Sequence, residues 1–178
     1  PQRGIVSASI SHLLQAWKDK NMALIQKIYQ RSSINQLIFA SCFYCLLILN
    51  FTDAVNTFHL KGTYLDAYYV VIFLGLAKIV DMGTGVNSQI IGTSTWWRFE
   101  MLSGIVLIIF VLPLSYFLTK RFDIPGAGLA QLISICIYNL IRIIFLWKKF
   151  NLFPFTWQSL YAVLLAGSCY GLCHFAFI

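Results

Sequence analysis

The stretch Met101-Leu-Ser-Gly-Ile-Val-Leu-Ile-Ile-Phe-Val-Leu-Pro-Leu-Ser-Tyr-Phe-Leu118 carries no charge from end to end. A helix crossing a bilayer core needs about 20 apolar residues, and a helix apolar all round has no face suited to water. Reading outward, similar runs cover about Gly126 to Trp147 and about Trp157 to the end of the chain, with two more before it, from about Ala67 to Ile91 and from about Ile34 to Phe51. The expectation is an all-α, polytopic transmembrane helical bundle. Its spans are about 34–51, 67–91, 101–118, 126–147 and 157–178, preceded by a lead-in over 1–33. The absence of any Pro/Ser-rich linker or low-complexity segment makes this one continuous unit. Pro113 predicts a kink near the far end of its span.

Composition agrees. The chain is 59% hydrophobic and 11% charged, with mean hydropathy +0.75. Soluble domains carry roughly 25% charged residues, so lipid must cover much of this surface. The net charge of +7 sits between apolar runs and not along a stripe. That placement excludes nucleic-acid binding and reads as a topology signal with attraction to anionic membrane lipid. Pro1 at the start and an apolar run at the end suggest a piece of a longer protein, and no signal peptide is visible.

In the lead-in, Ile10, Leu13, Leu14 and Trp17 are helically spaced, and a second stripe, Met22, Ile25, Ile28 and Tyr29, follows the polar turn Asp19-Lys20-Asn21. Lys18, Lys20, Lys27 and Arg31 occupy the other face. This predicts the end of a preceding span followed by an amphipathic linker lying at the membrane surface. Orientation follows from the basic residues of the loops. Eight (Arg3, Lys18, Lys20, Lys27, Arg31, Arg98, Lys148, Lys149) fall on one side and three (Lys61, Lys120, Arg121) on the other, which places the lead-in in the cytoplasm. Tyr68 and Tyr69 outside, with Trp96, Trp97 and Trp147 inside, mark the interfaces.

The densest polar signal is Lys78-Ile-Val-Asp-Met-Gly-Thr-Gly-Val-Asn-Ser88. Lys78 lies roughly 16 Å along a helix from Ala67, near the midplane. Asp81 shares its face three residues on. A charge at that depth costs at least about 2.5–3.5 kcal/mol. Either the two neutralise one another as a structural pair, or they line a cavity. Gly83 and Gly85 beside Asn87 and Ser88 predict a loosened or partly unwound segment, as transporter helices have near their sites. The Gly83-x-Gly85 pair follows no strand and is not a phosphate loop. In the fourth run Asn139 and Arg142 share a face. Arg142 either snorkels past Trp147 to the interface or lines the cavity. In the second case it joins Lys78 in a basic site suited to an anion. The candidate cavity residues are Lys78, Asp81, Asn87, Asn139 and Arg142.

Other motifs read as packing. The five cysteines (Cys42, Cys45, Cys136, Cys169, Cys173) lie in apolar runs and behave as small hydrophobes. Gly167-Ser-Cys-Tyr-Gly171 is a GxxxG suited to close helix approach, and Gly126 and Gly128 are packing positions too. His12, His59 and His174 lie far apart and the six acidic residues have no metal-ligand spacing. No catalytic residue, cofactor or metal is expected, and the protein reads as a non-enzyme.

Three groups of residues carry a resemblance. They are Pro1 to Asn21 with Ile28-Tyr-Gln-Arg-Ser-Ser33; Gly75-Leu-Ala-Lys-Ile-Val-Asp-Met-Gly-Thr-Gly-Val-Asn-Ser-Gln-Ile-Ile-Gly92; and Ile124-Pro-Gly-Ala-Gly-Leu-Ala130 with Trp147-Lys-Lys-Phe150. In order and spacing they resemble bacterial polysaccharide-biosynthesis flippases. These are the O-antigen (Wzx-type) exporters of the multidrug/oligosaccharidyl-lipid/polysaccharide superfamily. The resemblance implies much of the second half of a fold of about fourteen helices, working by alternating access around a cationic cavity in the bacterial inner membrane. It implies a lipid-linked oligosaccharide as substrate, carried on undecaprenyl pyrophosphate for lipopolysaccharide or other surface glycan. A coupling proton or sodium ion follows by analogy, with Asp81 as the deep carboxylate, although the Lys78 ammonium beside it hinders protonation. A multidrug or small-molecule exporter on the same fold is the alternative. A membrane-embedded polysaccharide polymerase would need a substantial outer loop bearing Arg and His, which this chain lacks.

Overall fold

The computed structural model describes residues 2–59 and 67–177 and contains helices only among them. We label them α1 (Gln2–Lys18), α2 (Met22–Thr57), α3 (Tyr68–Gly83), α4 (Asn87–Thr93), α5 (Trp97–Phe150) and α6 (Trp157–Phe177). Residues 60–66 of the expected outer loop, Thr52 to Asp66, with Lys61 among them, lie outside the described residues, as do the side chains of Arg3 and His174.

Each boundary has a local cause. Lys20 takes a left-handed conformation between α1 and α2 (φ 52°). The Asn21 side chain then caps α2 by accepting from Leu24 N at 3.0 Å. From that cap α2 runs 36 residues unbroken, so the expected surface linker over 22–33 is instead the first part of a long helix. At the far end of α5, Asn151 is left-handed (φ 54°) and Leu152 N returns to Leu146 O at 3.3 Å, closing the helix before Pro154.

The 54-residue α5 is two arms. Asp123 has non-helical backbone (φ 54°, ψ −141°), and the chain reverses there. In a straight helix Leu118 and Gly126 would stand about 12 Å apart. Here a Cβ on Gly126 would run into the Leu118 carbonyl oxygen. The two arms contain the expected spans 101–118 and 126–147. The non-helical backbone comes two residues before Pro125 and not at Pro113.

By length and composition, α2 and α5 can each cross a membrane, and α3 with α4, bent by 46°, makes a third if the pair is one span. The chain is a helical membrane protein. The remaining expected span, 157–178, corresponds to α6.

The second arm of α5 packs on α3 through Gly128, which faces Val70 and Phe73. On its other side α3 meets α2, where the ring of Tyr44 lies against Gly75. Leu13 and Ala16 of α1, Ile25 and Tyr29 of α2, Val86, Ile90 and Ile91 around α4, Leu146 of α5 and Leu152 form one apolar core at the basic end of the bundle. Part of the lead-in stripe is thus packed in this core (Leu13, Ile25 and Tyr29, with Trp17 and Ile28 partly covered), while Ile10, Leu14 and Met22 stay exposed. Trp17 Nε1 donates to Thr93 Oγ1 at 3.1 Å. Gln26 and the Phe153 peptide exchange two hydrogen bonds, of 2.8 and 3.1 Å, which ties the α5–α6 connection to α2. The expected close approach at Gly167 and Gly171 is not made, since nothing lies within 4 Å of a Cβ built on either.

Candidate functional site

The site is built around the interruption between α3 and α4. Thr84, Gly85 and Val86 are all buried. Gly85 has φ +67°, which L side chains rarely adopt, and Ser32 Oγ and Ser33 N would stand 2.9 Å from a Cβ there. Ser33 Oγ donates to the Gly83 carbonyl, one of the groups freed by the break. Inside a membrane protein such groups must find protein partners. Ser33 of α2 supplies the partner for Gly83.

On the other side of the break the second arm of α5 presents Asn139, 2% exposed. Its Oδ1 accepts from Asn87 Nδ2 at 3.1 Å and lies 3.0 Å from the Thr84 hydroxyl. The same hydroxyl lies 2.8 Å from the Asp81 carbonyl and donates to one acceptor at a time. Asn139 Nδ2 donates to the Ile135 carbonyl at 3.1 Å. One side chain thus joins both halves of the broken helix to the hairpin.

One turn further on, Arg142 is 4% exposed. It pairs with Glu100 of the first arm, its Nε donates to Ser103 Oγ at 3.3 Å, and its guanidinium sits 3.9 Å from the centre of the Tyr138 ring. Ser88 Oγ also donates to Glu100 Oε1, at 2.6 Å. Arg142 therefore neither snorkels to the interface nor stands free in a cavity: it is buried and neutralised. Glu100 was missed because it immediately precedes the uncharged run and reads as an interfacial residue. The available signal was the hairpin register, since arms joined near Pro125-Gly126 bring residues near 100 and 142 to one height.

Lys78 Nζ lies 3.0 Å from Asp81 Oδ2, with side chains 58% and 29% exposed. At the depth expected for Lys78 an exposed ammonium is costly against hydrocarbon, and water or further protein on that side would relieve that cost. Asp81 is near enough to Arg142 to act on it electrostatically. The charges therefore alternate along a string, Lys78, Asp81, Arg142, Glu100. Of the five candidates, Asn87, Asn139 and Arg142 meet in one buried network. Asp81 borders it, and Lys78 points away.

A cavity of about 490 Å³ opens beside this network between α3, the second arm of α5 and α6. Thr84, Asn139, Thr156 and Ser159 give it a few polar groups, and Leu37, Ile79, Ile143 and Val163 are among its apolar walls. Neither Lys78 nor Arg142 lines it. Cys42 and Cys45 of α2 and Cys169 and Cys173 of α6 line a second groove between those helices. All five cysteines are free thiols, and no group of three or more metal-ligating side chains occurs among the described residues. No family profile, curated protein or solved structure matches this chain.

Proposed function

We propose that the chain forms part of a membrane transporter that flips an undecaprenyl-pyrophosphate-linked oligosaccharide across the bacterial inner membrane for surface polysaccharide synthesis. The observation that carries the transport reading is the broken helix α3–α4, whose polar groups are gathered by Asn139 and the Glu100–Arg142 pair within an apolar bundle. Interrupted helices at membrane depth are tolerated where they are buried in protein or line a path for solute. The glycolipid substrate rests on the resemblance of the Gly75–Gly92 and Ile124–Ala130 stretches to the flippases. In this reading the exposed Lys78 ammonium meets the pyrophosphate as a point charge, Asp81 orients it, and the buried network holds the break in place. The basic loops and lead-in face the cytoplasm. A coupling proton or sodium ion has two carboxylates to address, Asp81 and Glu100, each held by a cation.

Deleting the complete gene in its host tests this. The expected result is loss of surface glycan, with undecaprenyl-linked repeat units accumulating on the cytoplasmic leaflet. Restoring the gene with Lys78→Ala should fail to restore glycan. Unchanged glycan in the deletion strain removes the flippase reading. A second reading is favoured by the apolar walls of the 490 Å³ cavity, which suit a hydrophobic small molecule. New drug sensitivity with normal glycan would select an exporter.

A further inference from the structure

The basic end of the bundle holds a pocket separate from this network. Trp96, Trp97, Arg98, Phe99 and Phe145 line a recess of about 630 Å³ where α4 leads into α5. Its floor is aromatic, with Phe99 and Phe145 stacked at 3.8 Å and Trp96 edge-on to Phe145 at 6.1 Å. Two cations stand over aromatic rings at its rim, Arg98 at 5.6 Å from the centre of Trp97 and Lys149 at 4.4 Å from that of Trp96. Neither meets a carboxylate among the described residues, where the ion pairs are Lys78–Asp81 and Arg142–Glu100. A cation held over a ring keeps its charge available to an anion. Below Arg98, at helical spacing, runs an exposed stripe of Leu102, Ile105, Ile109 and Leu112, 59, 52, 62 and 66% exposed. That stripe extends about 21 Å from Arg98, somewhat more than one leaflet's share of a hydrocarbon core of about 30 Å. Charge, aromatic ring and apolar track follow one another in the order of a phospholipid's phosphate, glycerol and acyl chain.

We propose that this pocket binds one anionic phospholipid, its phosphodiester between Arg98 and Lys149 and an acyl chain along Leu102, Ile105 and Ile109. Basic pockets beside membrane helices recognise anionic headgroups in this way. The inference is independent of what the protein transports. It also differs from diffuse attraction, in which every basic residue at this end would count alike.

The test titrates the full-length, detergent-solubilised protein with phosphatidylglycerol or phosphatidylcholine of the same acyl chains, counting bound lipid by native mass spectrometry. Phosphatidylglycerol should bind at least about ten-fold more tightly. One surface cation near an anionic lipid is worth roughly a five-fold change in affinity. Arg98→Gln with Lys149→Gln should therefore weaken phosphatidylglycerol about 25-fold and phosphatidylcholine, whose choline already offsets its phosphate, much less. Both side chains are exposed, so folding should survive, as a thermal melt would verify. Lys27→Gln with Arg31→Gln, exposed at the same end, should retain tight binding. Equal affinity for the two lipids, or an equal loss in both double variants, would overturn the site.

Discussion

A guanidinium buried beside one carboxylate is stable only while both are present. Arg142→Ala leaves Glu100 and its Ser88 bond without the charge that balances them. Breaking a buried pair from one side costs about 3–5 kcal/mol, whereas replacing both partners by well-packed neutral groups is often near neutral. Thermal melts in detergent should show a large loss for Arg142→Ala and a much smaller one for Glu100→Gln with Arg142→Met. Additive losses would mean that the pair is not coupled. Gly85 supplies a second residue-scale test. Alanine there must adopt φ +67° with its Cβ 2.9 Å from Ser32 Oγ and Ser33 N, a cost of about 2 kcal/mol or more. Gly92 has nothing within 4 Å, so Gly92→Ala should be neutral or stabilising by up to about 1 kcal/mol. Indistinguishable melts for the two variants would remove the strained break. The residues around the break were legible because Lys78, Asp81, Asn87, Asn139 and Arg142 are polar where the chain is otherwise apolar. Their partners were not. Periodicity shows which residues share a helix face, while the pairings of Arg142 with Glu100 and of Gly83 with Ser33 depend on how different helices meet.

The elements were legible wherever an uncharged run is bounded by polar residues. The spans 101–118 and 126–147 fall within the two arms of α5, and the loosening expected around Gly83–Ser88 is the break between α3 and α4. Where reading failed, tertiary packing decided. The stripe Met22, Ile25, Ile28, Tyr29 has the pattern of a surface helix, yet Ile25 and Tyr29 are fully buried in one core with Val86, Ile90 and Ile91, which the 46° bend between α3 and α4 brings there. Likewise, Pro113 attracts attention as a kink, but the chain turns at Asp123, where Gly126 permits backbone to touch backbone. Gly126→Ala drives a methyl into the Leu118 carbonyl, which the rigid backbone cannot avoid without opening the hairpin. Because Glu100 and Arg142 sit on opposite arms, opening it also separates the ion pair. The expected loss is at least about 1–3 kcal/mol, accompanied by weaker cross-linking between cysteines placed at Phe99 and Phe145, whose rings stack across the two arms at 3.8 Å, in a cysteine-free chain. An unchanged cross-linking yield would show that the turn does not set the register.

At the scale of the molecule, the two ends differ in both charge and packing. Leu13, Ile25, Ile90, Leu146 and Leu152 make a continuous core at the end carrying Lys18, Lys20, Lys27, Arg31, Arg98, Lys148 and Lys149. At the opposite end lie Lys120, Arg121 and the reversal at Asp123. If lipid covers the apolar middle, loops at the two ends must open to different compartments, and the proposed orientation, read from the basic excess, puts the first end in the cytoplasm. Single cysteines at Lys20, Lys120 and Lys149, introduced into a cysteine-free chain in intact cells, should separate cleanly. A membrane-impermeant maleimide should label the residue-120 site from outside and reach the sites at 20 and 149 only after the inner membrane is permeabilised. Labelling of 120 and 149 from the same side would mean that the second arm of α5 does not cross. The paired charges at its middle would then lie at a surface, where an ion pair contributes little, and the physical argument for a path through the bilayer would lose its footing.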